Sequence, residues 1–216
     1  MNAEQELDTH FQHIFNDGKY QSCSKNNIIL HPGDEPVGVS IITQGAVRSY
    51  SITDKGYESL AYINKPPDII PLSWAISGNK PTLFFEAITD VQMIILSREV
   101  FLDRVCRDQD VLMRLLGDSV QKIEVITERI NNTQFHTSRE RVAYALLGLA
   151  RQFGEDDDSG KRIALPVTHQ FISESVGLSR ETTSRQIEKL IKDGVIFYSG
   201  RTLYIKDVDY LSSVVK

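Results

Sequence analysis

The sequence has little cysteine, little excess positive charge and no long apolar run, and each shortage excludes something. Two cysteines, Cys23 and Cys106, occur in 216 residues. They make neither a disulfide framework nor a paired-cysteine zinc site nor a four-cysteine iron–sulfur site, so both are read as small buried or incidental thiols. No window approaches the ~18 consecutive apolar residues of a membrane helix. The opening stretch 1–12 lacks the basic and apolar regions of a secretory signal, so a cytoplasmic chain without a membrane partner is expected. Lys and Arg number 24 against 29 Asp and Glu, a net charge of −5. Any polyanion must therefore be met by a local basic patch and not by the bulk field. The nucleophile elbow, phosphate loop, dinucleotide fingerprint and His/Glu metal spacing are all missing, which argues against an enzyme and against a metal site.

What remains is ordinary globular composition, 41% hydrophobic and 25% charged, arranged in three zones. From Asn26 to Ser97, short β-rich runs (28–30, 39–42, 46–52, 60–63, 83–85 and 91–96) alternate with turns such as His31-Pro32-Gly33-Asp34 and Asp54-Lys55-Gly56. Six of the seven prolines fall here. This spacing predicts an antiparallel sandwich, roll or barrel. Ahead of it, Leu7, Phe11, Ile14 and Phe15 predict a short helix over 4–15.

The second zone is helical. After a short amphipathic segment over 98–107, a long helix is predicted from about Gln109 to Asn132. Along it Leu112, Leu116, Ser119, Ile123, Ile126, Ile130 and Thr133 recur at spacings of 4-3-4-3-4-3. That heptad pattern suits a seam against a second helix, or a helix lying over its own sheet. In the third zone, a helix starts near Thr137 to Arg141. The acidic stretch 154–160 then reads as a solvated surface loop, because it lacks the alternating ligands of a calcium loop.

The segment 165–190 is the most informative. Thr168 suits an N-cap, and Phe171, Ile172 and Val176 line one helical face. Gly177 stops that helix, Leu178 anchors the turn, and Ser179 caps a second helix that buries Thr183, Ile187, Leu190 and Ile191. Arg180, Glu181, Ser184, Arg185 and Lys189 then point outward. Helix, glycine turn, helix is the helix-turn-helix, whose second helix enters the DNA major groove. Arg bonds guanine O6 and N7, Glu accepts from cytosine N4, and Ser serves bases or phosphates. From Arg180 to Lys206 six basic residues face three acidic ones, a local excess in an acidic chain. The runs 194–198 and 201–205, joined by Ser199-Gly200, predict a hairpin wing. The same helical pair used only for protein contacts is the other reading.

Gly177-Leu178-Ser179-Arg180-Glu181-Thr182-Thr183-Ser184-Arg185 resembles the recognition-helix signature of the Crp/Fnr family of transcription regulators. The likeness extends over nearly the whole chain through the glycine turns at Gly33, Gly45 and Gly56. It implies an α+β fold: an N-terminal antiparallel β-roll (a cyclic-nucleotide-binding-like jelly roll) over 1–108, a long dimerisation helix over 109–136, and a C-terminal winged helix-turn-helix over 137–216. It also implies a homodimer on double-stranded DNA bearing an inverted repeat, with RNA polymerase as protein partner. Carried over by position, Arg180, Glu181, Ser184 and Arg185 read bases. His169, Gln170, Ser179, Thr182, Lys189 and Arg201 hold phosphates, and Leu112, Leu116, Ile123, Ile126 and Ile130 form the dimer interface.

The chain departs from the family's cyclic-AMP-binding members. Pro71-Leu72 and Pro81-Thr82 stand where those carry Gly-Glu and Arg-Ser, so a cyclic phosphate meets no guanidinium and one fewer N–H. The cysteine cluster of the oxygen-sensing members is absent. His10 and His13, which share a helix face near the roll, are read as solvated and not as haem ligands. No iron–sulfur cluster, haem or cyclic AMP is therefore expected. An effector pocket is expected from Ile70, Leu72, Trp74, Thr82, Phe84 and Thr127, suited to an uncharged ligand or filled by those side chains. The other function considered is a cyclic-nucleotide-binding module whose C-terminal domain contacts protein partners.

Overall fold

Turn residues divide the N-terminal half into strands too short to stand alone, and these pair into two four-stranded antiparallel sheets. The computed structural model describes residues 9–54, 56–135 and 137–215, with the side chains of residues 9, 10, 129 and 132–135 left out. Residues 4–8 of the expected first helix, the side chain of His10, and that of Thr133 in the heptad series thus lie outside the described residues. By contact the chain forms two units, Met1–Ile52 with Leu60–Glu124, and Thr53–Ser59 with Val125–Lys216. No helix among the described residues is long and apolar enough to cross a membrane.

The first unit runs α1 (Thr9–Phe15), β1 (Lys19–Cys23), β2 (Ile28–Leu30), β3 (Val39–Gln44), β4 (Val47–Ile52), β5 (Glu58–Asn64), β6 (Ile69–Ile70), α2 (Leu72–Ser77), β7 (Phe84–Ala87), β8 (Val91–Leu96) and α3 (Arg98–Arg107). The first half of α4 (Gln109–Phe135) follows. One sheet has the order β1-β8-β3-β6 and the other β2-β7-β4-β5. Period-two alternation along β3 divides the core. Val39 and Ile41 pack with Phe11, Phe15, Phe101, Val105, Val111 and Leu115 on the helices. Ile42 packs across to Val47, Phe85 and Ala87 of the second sheet. Gly45 takes a left-handed φ of 87°, and a Cβ there would lie 2.2 Å from the Asp90 carbonyl oxygen, so only glycine fits this turn.

Three elements were not legible beforehand. β1 (Lys-Tyr-Gln-Ser-Cys) shows no apolar alternation and is held by backbone pairing to β8 along an exposed edge. β6 has two residues, and α2 begins directly after Pro71. Of the two free thiols, Cys106 is exposed, while Cys23 is half-buried with its thiol pushed up by burial. His13 is not simply solvated, since its Nε2 lies 2.7 Å from Asp108 Oδ2.

Helix α4 carries two apolar stripes. Val111 and Leu115 are buried in the first core. Leu112, Leu116 (54% exposed), Ile123 (63% exposed) and Ile130 stand exposed, and Ile126 is half-buried. The exposed stripe passes through Val120 and not through Ser119, which is half-buried and donates its hydroxyl proton to the Leu115 carbonyl.

The second unit holds α5 (Ser138–Phe153), β9 (Gly154–Asp157), β10 (Gly160–Ile163), α6 (His169–Val176), α7 (Arg180–Lys192), β11 (Ile196–Ser199), β12 (Thr202–Ile205) and α8 (Val208–Val214). Thr137 caps α5 in a reciprocal capping box with Glu140. The acidic stretch is a correction. It is not a loop but the hairpin β9–β10, in a sheet ordered β11-β12-β10-β9. Asp156 and Glu155 pair with Lys161 and Arg162 of the opposite strand. Neutralising partners one and two positions past Gly160 let a run of carboxylates pair as a strand.

The turn between α6 and α7 is held from outside. Gly177 is left-handed (φ 60°) and its N–H bonds the Ser173 carbonyl. The Arg141 guanidinium on α5 donates to the carbonyls of Val176 and Gly177. Burial lowers the Arg141 pKa without removing its charge. Arg141→Ala should strand two turn carbonyls and lower stability by about 1–3 kcal/mol. A urea-unfolding midpoint equal to that of the parent chain would show that the turn holds without it.

Candidate nucleic-acid interface

The two helices of the predicted helix-turn-helix form where the capping residues stood. Thr168 Oγ1 accepts the Phe171 N–H at 3.1 Å and Ser179 Oγ accepts the Thr182 N–H at 3.1 Å, starting α6 and α7. Inward, Phe171, Ile172 and Val176 of α6 and Thr183, Ile187 and Leu190 of α7 are buried. Ile191, expected to be buried, is 40% exposed. Three inward positions complete the stripe of α7, and Ile191 lies one residue beyond its edge.

Outward, Arg180, Glu181, Ser184, Arg185 and Glu188 line one open groove of about 550 Å³. Four of the five are the expected base readers. Glu188 is the addition, and a spacing of i, i+3, i+4 and i+7 from Glu181 or Arg185 would have found it on that face. Arg185 Nη2 lies 3.2 Å from Glu181 Oε1, an exposed pair one turn apart that holds neither partner strongly. Both side chains are therefore free to exchange that contact for a base edge.

The expected phosphate contacts are less uniform. Lys189 and Arg201 are exposed, the latter at the turn of the hairpin β11–β12. Gln170 Nε2 donates to Glu174 Oε1 at 2.7 Å. Ser179 and Thr182 bond each other at 2.9 Å as well as forming the cap, so both hydroxyls are already engaged in the helix end. His169 is the larger departure: its Nδ1 lies 2.9 Å from Ser184 Oγ, joining an expected phosphate contact to an expected base reader. Behind this pair the Tyr198 ring lies 5.9 Å from the imidazole, with its hydroxyl buried and its pKa pushed up to about 12 by burial. Arg141, which holds the turn, had no local signal, because its partners lie 35 and 36 residues away.

The expected effector residues differ in burial. Ile70 (3% exposed) and Trp74 (6% exposed) belong to separate parts of the core, with Leu72 packed against the latter. Phe84 stacks on Tyr50 at 5.1 Å, Thr82 is exposed, and Thr127 is exposed on α4. Trp74 does border a cleft of about 340 Å³, but its other walls are Glu35, Pro36, Val37, Gly78, Ser97, Arg98 and Glu99. Inside the second sheet, the polar side chains present satisfy one another. Asn64 Nδ2 donates to Ser49 Oγ and the Val47 carbonyl, and Ser49 Oγ donates to the Tyr62 carbonyl, each at 3.3 Å. Asp68 takes a 2.5 Å contact from Lys122 of α4, whose ammonium also lies 5.0 Å from the Tyr62 ring centroid. Burial first, then Asp68 and Asp118, pushes the Tyr62 phenol up to about 12.

Comparison with known proteins agrees with this layout. Residues 20–108 match the model of a cyclic nucleotide-binding domain, and residues 140–214 that of a Crp-like helix-turn-helix domain. The chain is 27% identical over 188 residues to the cAMP-activated global transcriptional regulator CRP of Salmonella typhimurium, covering 87% of this chain and 88% of that protein. It is 23% identical over 193 residues to the fumarate and nitrate reduction regulatory protein of the same organism, covering 88% and 76%. Among solved structures, FixK2 from Bradyrhizobium japonicum superposes with a TM-score of 0.79 at 26% identity, over 92% of this chain and 98% of that one. With a roll-type domain, a long helix and a winged helix-turn-helix in that order, each half matched by its own family model, this chain belongs to the Crp/Fnr family of transcription regulators.

Proposed function

We propose that this chain acts as a homodimer on an inverted-repeat operator, reading bases with Arg180, Glu181, Ser184 and Arg185, and that its N-terminal domain answers to something other than a cyclic nucleotide. RNA polymerase is its protein partner in this reading. The observation that carries it is the groove on α7, where two guanidiniums, two carboxylates and a hydroxyl stand together on the exposed face of a helix whose opposite face is buried. That is a donor and acceptor set suited to a G·C-containing major groove. Lys189 and Arg201 add backbone charge on the same unit.

Arg185→Ala should cost about 1–3 kcal/mol of operator affinity and relax preference at one base pair, while Lys189→Ala should weaken all sequences alike. Fluorescence anisotropy on operator variants distinguishes the two. Unchanged ranking with Arg185→Ala would remove that residue from base reading.

The dimer follows from the second stripe of α4. A row of exposed aliphatic side chains that continues from Leu112 to Ile130 is an aggregation liability on a monomer and a seam in a two-fold dimer. A carboxylate placed in that seam is unpaired, so Ile123→Asp should yield monomers that no longer hold a palindrome. Light scattering that finds this variant still dimeric would place the interface elsewhere.

The absence of cyclic-nucleotide recognition rests on Pro71-Leu72 and Pro81-Thr82, and on Ile70 and Trp74 being committed to the core. Micromolar affinity needs about 8 kcal/mol, and nothing at these positions grips a charged phosphate. Calorimetry with cyclic AMP and cyclic GMP should give no micromolar isotherm, and a clear one for either overturns this part.

A further inference from the structure

Within the DNA-binding reading just given, on which this inference rests, we propose that His169 is a positioning residue that decides which base edges Ser184 accepts. Its imidazole links a DNA phosphate to the Ser184 hydroxyl and leaves that hydroxyl able only to accept.

A serine hydroxyl carries one proton and two lone pairs and rotates freely. Left alone it donates to guanine or thymine as readily as it accepts from adenine or cytosine, and so discriminates poorly. Ser184 is not left alone. It lines the groove with Arg180, Glu181, Arg185 and Glu188, and its Oγ lies 2.9 Å from Nδ1 of His169. His169 is the first residue of α6, placed by the Thr168 cap, and its ring is packed beside Tyr198 with centroids 5.9 Å apart. The pair joins the start of one helix to the middle of the next across 15 residues of sequence.

The chemistry follows from the ring. In neutral imidazole one nitrogen donates and the other accepts. Phosphate oxygens only accept, so a phosphate at the start of α6 takes Nε2–H and leaves Nδ1 with its lone pair. Nδ1 then receives the Ser184 hydroxyl proton, and the remaining lone pairs of Oγ face the groove. They are satisfied by an exocyclic amine, adenine N6 or cytosine N4, and opposed by guanine O6 or thymine O4. A contact with the backbone, which carries no sequence information by itself, thereby becomes a condition on one base.

The test uses the full chain and the operator that it selects, with all four base pairs substituted in turn at each half-site position. Binding is measured for the parent, His169→Ala, His169→Gln, Ser184→Ala and the His169→Ala/Ser184→Ala double variant, with unfolding midpoints to establish that each is folded. The parent should favour one base pair at one half-site position by roughly fivefold, the range of a single neutral hydrogen bond. Ser184→Ala and His169→Ala should each flatten that same position, and the double variant should flatten it no further. His169→Gln places its amide at the reach of Nε2 and not of Nδ1. It should keep the salt dependence of binding while losing the preference.

If His169→Ala weakens every operator equally and leaves the ranking intact, His169 is a plain phosphate contact and the inference fails. It fails equally if Ser184→Ala flattens one position and His169→Ala flattens a different one. A parent chain with no sequence preference at all sinks the DNA-binding reading itself, which is a different result from either.

Discussion

The left-handed turn at Gly177 is the constraint on which the outward face of α7 depends. Two short helices have little apolar area to set their own angle, and α6 has only eight residues. Their mutual orientation is set by one backbone conformation that favours glycine, closed by a bond from Gly177 N–H to Ser173 and gripped from α5 by Arg141. Buried side chains on both helices then pack to that geometry. Once α7 is oriented, its outward residues need no individual arrangement. Helical periodicity alone puts Arg180, Glu181, Ser184, Arg185 and Glu188 on one side.

Charge is distributed to match. The chain is acidic overall, yet two of the four carboxylates of its longest acidic run, Glu155 and Asp156, are paired with Arg162 and Lys161 in the β9–β10 hairpin. On α7, by contrast, the Arg185–Glu181 pair is exposed and long at 3.2 Å. The positive excess belongs to the whole segment from Arg180 to Lys206, with six basic residues against three acidic ones in a molecule of net charge −5.

The N-terminal domain shows the opposite tendency. A sheet domain of this family type has an interior that is either lined for a ligand or filled by its own residues. Here Ile42, Val47, Ile70, Phe85 and Met93 pack together, and the polar groups nearby, Ser49 and Asn64, are hydrogen-bonded to one another and to strand carbonyls. Charge within the second sheet is paired: Arg48 Nη2 lies 2.7 Å from Glu86 Oε2 with both side chains largely buried, and a buried guanidinium without its anion is costly.

The sequence by itself determined the features whose causes lie within four residues. The caps at Thr137, Thr168 and Ser179, the glycine turn, the outward set on α7 and the heptads of α4 were legible because caps and helical faces repeat at fixed short spacings. Only the tertiary structure decided what depended on partners far along the chain. Strand β1 exists because β8 offers it a ladder, not because its own side chains alternate. Ile70 and Trp74, close along the chain, are buried in different core clusters because Ile70 of strand β6 and Trp74 of helix α2 face different layers. His169 met Ser184, and Arg141 met the turn, because the helix-turn-helix folds 15 and 35 residues of separation into contact. Which residues share a face is set by local backbone geometry. Which faces meet is set by register and packing, and no short window of sequence contains either.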